Sequence, residues 1–288
     1  MTEIVDKTAE QKSSSSRKSS SLKKKFLMRT PGRERTGNYK IEAAIGQHIG
    51  GRAEQQDRVA LFAAPRAPGY MMAVLADGMG GVAGGDMAAE QIIHCAKLLF
   101  DQFSPITDDV PSLLNTLLQD AHTLVRLTGM SAQNDPHSTL VVLVLTPERK
   151  AIWAHAGDSR LYRFRGPNFA EHTIDHSQVQ NLLNEGKITQ EEAIDHPMAN
   201  IVTNGIGGNR KPYLTFGEYE NLQPGDSFLL CSDGLWHYFN NVEMGAMIAM
   251  NTPRQASEAL IGKAIERARG NGDNCSMAIV KLVDEYRE

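Results

Sequence analysis

Residues 73–78 read Ala-Val-Leu-Ala-Asp-Gly, so that an apolar run ends in a carboxylate and a glycine. The same transition occurs at residues 228–234, which read Phe-Leu-Leu-Cys-Ser-Asp-Gly, and at residues 153–158, which read Trp-Ala-His-Ala-Gly-Asp. A fourth carboxylate, Asp273, stands just before the last apolar run of the chain. Short apolar runs bounded by such residues are typical of buried β-strands. The pattern therefore predicts four aspartates at the ends of strands.

Strand-like and helix-like patterns surround these stretches in a distinctive order. Strands are predicted at residues 58–63, 70–76, 138–146, 151–156, 160–165, 213–219, 227–231 and 275–282. Apolar residues at helical spacing predict helices within residues 89–103, 113–125 and 256–268. Several strands are separated by only a few residues, which favours antiparallel hairpins. The sequence therefore predicts an antiparallel α+β fold and not alternating βαβ units.

Charge is divided unevenly along the 288 residues. Residues 1–37 carry ten Lys or Arg and four Asp or Glu, whereas the remainder carries 20 and 30. The first segment is rich in serine and poor in apolar residues, so we expect a flexible basic tail. Such a tail is either a solvated leader without a role or an arm that contacts an acidic partner, a nucleic acid or a membrane surface. Residues 38–288 suit one domain.

Several classes of protein are not expected. No apolar run approaches the roughly 18 residues of a membrane-spanning helix. The three cysteines share no ligand spacing, which argues against a disulfide framework and a cysteine-based zinc site. The first residues lack the layout of a signal peptide, so we expect a cytoplasmic protein.

The four aspartates indicate a metal site when they are taken together. Each Asp-Gly alone is consistent with an ordinary hairpin turn. Carboxylates brought close together, however, repel one another unless a cation neutralises them. An all-oxygen set without His or Cys favours Mg²⁺ or Mn²⁺, and several bridging carboxylates suggest two ions. The glycine-rich stretch at residues 78–85 is no P-loop, because no Gly-Lys-Ser/Thr follows it.

An ordered series of motifs over some 240 residues resembles the metal-dependent serine/threonine protein phosphatases, the PPM or type-2C family, in their bacterial form. The motifs are residues 51–57 (Gly-Arg-Ala-Glu-Gln-Gln-Asp), 77–81 (Asp-Gly-Met-Gly-Gly), 138–140, 156–160 (Ala-Gly-Asp-Ser-Arg), 230–235 and 272–276. Residues 175–177, 185–189 and 196–197 resemble the segment that this family calls the flap. The resemblance implies a four-layer α-β-β-α sandwich, in which two antiparallel sheets are flanked by helices.

The resemblance also implies a role for each site residue. Asp77 would bridge two ions and is, with Asp57 and Arg52, one of the expected catalytic residues. Arg52 would grip the phosphate. The resemblance implies two Mn²⁺ or Mg²⁺ ions and a third, more weakly bound ion. Their implied ligands are Asp77, the backbone oxygen of Gly78, Asp233, Asp273, Asp57 through water and, at the third ion, Asp158.

Three positions depart from the pattern that the family shows. Gln56 stands where many members have a carboxylate, and Met79 where some have a histidine proposed as general acid. Asn204 stands where arginine is common. His155 and His176 are interpreted as structural residues, and Trp236 is expected to pack under the site.

The resemblance implies hydrolysis of phosphoserine and phosphothreonine by a water activated at a binuclear centre, in opposition to serine/threonine kinases. The expected partners are phosphorylated proteins, and the chain is expected to be a monomer. One alternative is a non-enzymatic regulator, although the intact Asp77, Asp233 and Asp273 argue against it. Another is a two-metal phosphodiesterase or nuclease, against which the acidic body argues.

Overall fold

The structure is a computed structural model, and it describes residues 39–80, 84–132, 135–194 and 196–285. The predicted basic tail at residues 1–37 lies outside the described residues. The three cysteines of the chain are all described, and they are buried free thiols. None of the described helices is long and apolar enough to cross a membrane.

The elements follow one another in the order that the sequence patterns indicate. The strands are β1 (Tyr39–His48), β2 (Asp57–Ala63), β3 (Met71–Met79), β4 (His137–Ser138), β5 (Leu140–Leu145), β6 (Ala151–Ala156), β7 (Arg160–Arg165), β8 (Asn168–His172), β9 (Thr215–Tyr219), β10 (Asp226–Cys231) and β11 (Cys275–Asp284). The helices are α1 (Gly85–Gln102), α2 (Val110–Ala132), α3 (Gln178–Asn184), α4 (Gln190–Ile194), α5 (Asp233–Trp236), α6 (Asn241–Met250) and α7 (Pro253–Ala268).

The strands form two antiparallel sheets. One sheet has the order β1-β11-β10-β7-β8, and the other has the order β2-β3-β5-β6-β9 with β4 paired to β3. In the second sheet Asp57 lies opposite Asp77 in the register of β2 and β3. In the first sheet Cys231 lies opposite Met277, so the end of β10 meets the start of β11. The register thus determines which acidic residues can meet at one edge.

Alternating side chains divide the interior into three apolar layers. Val74 of β3 packs in the cluster that contains α1 and α2, while its neighbour Leu75 packs in the cluster between the two sheets. In the other sheet Leu230 also joins the cluster between the sheets, whereas Leu229 packs with Leu260 of α7. Successive strand residues point to opposite faces, which is why one strand supplies two layers. The predicted four-layer α-β-β-α sandwich is confirmed.

Six of the described elements have no predicted counterpart: β1, β8, α3, α4, α5 and α6. Strand β1 alternates between exposed and half-buried residues, because it lies at the edge of its sheet. Strand β8 is a short edge strand of mostly exposed residues. Helix α6 is a short helix that begins at the capping residue Asn240, whose side chain accepts a hydrogen bond from the backbone of Glu243.

Candidate metal centre

The topology gathers five carboxylates at one end of the sandwich. Asp57 begins β2 and pairs with Asp77, which lies near the end of β3. Asp233 lies two residues after the end of β10. Asp273 lies two residues before the start of β11, the strand that pairs antiparallel with β10. Asp158 lies in the connection between β6 and β7, which belong to different sheets. Both sheets therefore contribute acidic residues to the same place.

Four of the five carboxylates line a cleft of about 460 Å³. Of the predicted metal ligands, Asp57 does not line this cleft, because it is only 1% exposed and its carboxylate is held in the interior. Met79 and Gln56, two of the departures from the family pattern, also line the cleft. The remaining predicted site residues line it as well: Arg52, Asp77, Gly78, Asp158, Asp233 and Asp273.

Burial and mutual repulsion raise the pKa values of the clustered carboxyls. Burial, followed by the charge of Asp57, raises the pKa of Asp77 well above its usual range. Burial raises the pKa of Asp57 to about 7, against the opposing hydrogen bonds from Ser232 and Ser276. Burial, followed by the charge of Asp233, also raises the pKa of Asp158 to about 7. Like charges forced this close favour protonation or a neutralising cation.

The donor chemistry fits a hard divalent ion. Carboxylate oxygens together with the backbone oxygen of Gly78 form an all-oxygen set, which Mg²⁺ and Mn²⁺ prefer. A side chain at Gly78 would collide with the backbone of Gly85, since an added Cβ would lie 1.9 Å from its carbonyl oxygen. Within the described ranges, no three His, Cys, Asp or Glu side chains already stand in an arrangement that could hold an ion. The cleft thus supplies the donors, but not a preformed coordination shell.

Arg52 is the cationic side chain predicted to grip phosphate, and it lines the same cleft. Its Nη2 atom lies 2.5 Å from Oδ2 of Asp273, and the two side chains are 60% and 39% exposed. Its charge also lowers the pKa of Asp233, against the stronger effects of burial and Asp273. An exposed pair of this kind is weak and can exchange partners. Arg52 is therefore available to an anionic ligand at the mouth of the cleft.

Neutral side chains next to the aspartates connect the segments that carry them. The hydroxyl of Ser232, which precedes Asp233, donates to Oδ2 of Asp57 at 2.8 Å. Thr139 accepts a hydrogen bond from the backbone of Asp77 at 3.0 Å, and its hydroxyl lies 2.7 Å from that of Ser159. Since Ser159 follows Asp158, this pair of hydroxyls ties two acidic segments together.

Asn274 has a similar role on the opposite side of the cleft. Its side-chain oxygen accepts from the backbone N–H of Gln56 at 2.7 Å. Its amide nitrogen donates to the carbonyl oxygens of Ile49 and Glu54 at 2.8 and 3.0 Å. The side chain is buried, with 5% exposed. Asn274 therefore clamps the loop that carries Arg52 against the segment that carries Asp273. The sequence analysis assigned no role to these neutral residues, although they lie within the motifs that resemble the family.

The histidines and Asn204 are held in structural contacts. His155 is fully buried on β6, and its ring stacks on that of His176 with centroids 4.3 Å apart. His176 bonds the hydroxyl of Thr215 through Nε2 at 2.9 Å. The side chain of Asn204 bonds both backbone groups of Tyr213, at 2.9 and 3.1 Å. The interpretation of both histidines as structural agrees with these contacts, and the buried side chain of Asn204 clasps the backbone of Tyr213.

Comparison with known proteins gives one consistent result. Protein phosphatase PhpP of Streptococcus pneumoniae is 32% identical over 222 residues, which cover 76% of this chain and 89% of the relative. The serine/threonine phosphatase of S. agalactiae superposes with a TM-score of 0.77 at 27% identity, covering 84% of this chain and all of the other. The catalytic domain of the phosphatase PstP, solved with two manganese ions, gives a TM-score of 0.71 at 27% identity, covering 86% of this chain and all of the other.

A family model extends the same likeness over most of the domain. The model for protein phosphatase 2C matches residues 46–266. The match includes four of the five clustered aspartates, and Asp273 lies seven residues beyond its end. The resemblance stated from the sequence motifs is confirmed, and the chain belongs to the protein phosphatase 2C family.

Proposed function

We propose that this chain is a metal-dependent phosphatase that removes phosphate from phosphoserine and phosphothreonine in proteins, by means of a water activated between two ions. The observation that carries the proposal is the convergence of five aspartates from both sheets at one end of the sandwich, where four of them line a cleft that also holds Arg52. Membership of the protein phosphatase 2C family and the two manganese ions of the PstP structure support it.

Each site residue then has a distinct task. Bound Mn²⁺ or Mg²⁺ would lower the pKa of water and offset the charge of the phosphoryl group. Asp77 would bridge the two ions, with Gly78, Asp233 and Asp273 as further ligands of the first. Asp57 would act on the second ion through water, which suits a carboxylate that lies beneath the cleft. Asp158 would serve a third, weaker ion.

Arg52 would leave Asp273 and donate to the phosphate of the substrate. The planar guanidinium gives two parallel hydrogen bonds to a phosphoryl group, and it retains its charge at any physiological pH. The position of Arg52 at the exposed mouth of the cleft lets it meet the phosphate before the phosphate reaches the aspartates. Met79 offers no proton to the leaving group, so that proton would come from solvent held in the cleft.

The substrates would be proteins phosphorylated by serine/threonine kinases, and the activity would oppose that signalling. We further propose a cytoplasmic location, which the three free buried cysteines support, because thiols persist in a reducing compartment.

The test is hydrolysis of a phosphothreonine peptide by the full chain. EDTA should abolish turnover and Mn²⁺ should restore it. Asp77→Asn should lower kcat at least a hundredfold, because the bridging charge is lost, while circular dichroism shows an intact fold. Asp120→Asn, at an exposed position on α2, is the matched control and should retain wild-type turnover.

Two results would overturn the proposal. The first is turnover that persists in EDTA, and the second is an Asp77→Asn variant within tenfold of wild type. Bis-p-nitrophenyl phosphate tests the phosphodiesterase alternative, since a monoester phosphatase should cleave this diester far more slowly than the phosphopeptide.

A further inference from the structure

We propose that Trp236 is a positioning residue that fixes Asp158 relative to Asp233 and thereby sets the affinity of the weaker metal site. The inference rests on the proposed function, because it takes Asp158 and Asp233 as ligands. Trp236 itself contacts neither ion nor substrate. Its role follows from three contacts of its indole ring and of the short helix to which it belongs.

The first contact joins the two aspartate segments directly. Asp233 and Trp236 are the first and last residues of the four-residue helix α5. The indole N–H of Trp236 donates to the backbone carbonyl oxygen of Asp158 at 3.1 Å. This single helical turn therefore has Asp233 at its first position, and Trp236 at its last position is hydrogen-bonded to Asp158.

The second contact holds the indole ring in place. The guanidinium carbon of Arg160 lies 3.5 Å from the centroid of the Trp236 ring. The ring of His237 stacks on Trp236 with centroids 4.1 Å apart. A cation over the face of tryptophan is attractive, and more so when the pair is shielded from water. The indole therefore has little freedom to turn its N–H away from Asp158.

The third contact fixes Arg160 and extends the connection to the flap. Nε and Nη2 of Arg160 donate to the two carboxylate oxygens of Asp175 at 2.8 and 2.7 Å. The Arg160 and Asp175 side chains are only 19% and 10% exposed, and Nη1 also donates to the hydroxyl of Tyr162 at 3.1 Å. Asp175 stands at the beginning of the flap motifs (residues 175–197). The base of the flap, Arg160, Trp236 and Asp158 thus form one continuous connection.

The other end of α5 is anchored independently. The hydroxyl of Ser232 bonds Asp57, and it accepts a hydrogen bond from the backbone of Ser276 at 3.1 Å. The segment of Asp158 is also tied to Thr139 through Ser159. Loss of the Trp236 hydrogen bond should therefore loosen Asp158 relative to Asp233 without freeing its segment, while Asp233 keeps its place beside Asp57. This asymmetry predicts weaker binding at the site that depends on Asp158 and nearly unchanged binding at the main pair of sites.

The experiment titrates Mn²⁺ into the metal-free full chain by isothermal titration calorimetry, which needs no turnover. Trp236→Phe keeps an aromatic ring beneath Arg160 and removes the N–H donor together with the five-membered part of the indole. One net hydrogen bond corresponds to roughly a 3- to 10-fold change in an equilibrium constant. We expect the weaker Mn²⁺ dissociation constant of Trp236→Phe to rise by that factor, and the tighter binding to change less than twofold.

A double-mutant cycle separates positioning from general damage. Asp158→Asn should remove the weaker binding, and Trp236→Phe added to it should have no further effect. The inference is overturned if the wild-type chain has no weaker Mn²⁺ site, or if Trp236→Phe weakens the tighter and weaker sites equally or changes neither. It is also overturned if the double variant binds Mn²⁺ more weakly than Asp158→Asn. If Trp236→Phe does not fold, Arg160→Lys, which loses the fork to Asp175, should weaken the same class.

These outcomes are separate from the proposed function. A chain that binds Mn²⁺ as described but leaves phosphopeptides intact would contradict the phosphatase proposal and leave the positioning role of Trp236 standing. If the wild-type chain is an active phosphatase but Trp236→Phe binds Mn²⁺ unchanged, the proposed function stands and the positioning role of Trp236 is refuted.

Discussion

Asn274→Ala tests whether the neutral clamp beside Asp273 holds the loop of Arg52. The substitution removes three hydrogen bonds, to the backbone groups of Gln56, Ile49 and Glu54. At about 1 kcal/mol for each, the free energy of unfolding should fall by about 3 kcal/mol. For a domain of this size that corresponds to a decrease in Tm of about 6–12 °C.

Asn274→Asp provides a sharper version of the same test. Aspartate has nearly the same shape and keeps the acceptor for the Gln56 N–H, but it replaces two donors by an oxygen that faces two carbonyl oxygens. It also adds a negative charge next to Asp273. We therefore expect Asn274→Asp to be at least as destabilising as Asn274→Ala, although it changes the volume less.

Urea unfolding followed by circular dichroism measures both variants, with Asn115→Ala as the control. Asn115 is exposed on α2 and makes one local hydrogen bond, so its loss should change stability by less than about 0.5 kcal/mol. In phosphopeptide assays the Asn274 variants should raise KM more than they lower kcat, because the loop that carries Arg52 is loosened. If Asn274→Asp were milder than Asn274→Ala, the amide donors would contribute nothing and the clamp would be refuted.

Three further changes have defined outcomes. Gly51→Ala should lower the free energy of unfolding in urea by about 2 kcal/mol or more, because the added Cβ would lie 2.3 Å from the carbonyl oxygen of Gly270. Unchanged stability would contradict that packing. Burial, followed by the charge of His176, lowers the pKa of His155 to about 3. Because the unfolded chain binds this proton near pH 6.5 and the folded chain does not, the stability that neutral His155 contributes is present above about pH 6.5 and is lost as the pH falls towards 3. His155→Phe should therefore lower the midpoint pH of acid unfolding, and an unmoved midpoint would show that this histidine does not govern it. Deletion of residues 1–37 should leave kcat for a small phosphate ester within twofold, since every site residue follows that segment, and a collapse of kcat would place the tail in the catalytic unit.

The sequence predicted the parts of the fold that depend on local patterns. Strand β5 is an unbroken apolar run because it is central and buried on both faces. Strand β1 has no such run, and its ten-residue pairing with β11 is a tertiary contact between opposite ends of the domain. A local pattern cannot report partners that lie 227 to 245 residues away, so β1 could not be predicted from its own composition.

The same distinction applies to the site. Four of the acidic residues were recognisable because each stands at one end of an apolar run, a position that is visible in the sequence, whereas Asp57 was indicated only by the family resemblance. The hydrogen bond between Ser232 and Asp57 joins residues 175 positions apart, and the bond between Asn274 and Gln56 joins residues 218 apart. Serine and asparagine occur in many turns, and nothing local distinguishes these two from the others. Only the register of the sheets brings them to their partners.

The contacts around the cleft explain how a protein can keep repelling carboxylates close together before any cation arrives. The aspartates themselves cannot attract one another, and burial raises the pKa values of Asp77 and Asp233. The attraction comes from neutral side chains that join the acidic segments, since Ser232 reaches across to Asp57, and Thr139 connects the backbone of Asp77 to Ser159. The hydroxyl pair of Thr139 and Ser159 carries no charge and does not depend on a cation, and the bond from Ser232 stabilises the ionised form of Asp57. The geometry of the site is therefore maintained by residues that carry no charge, and the charged residues remain available to bind ions.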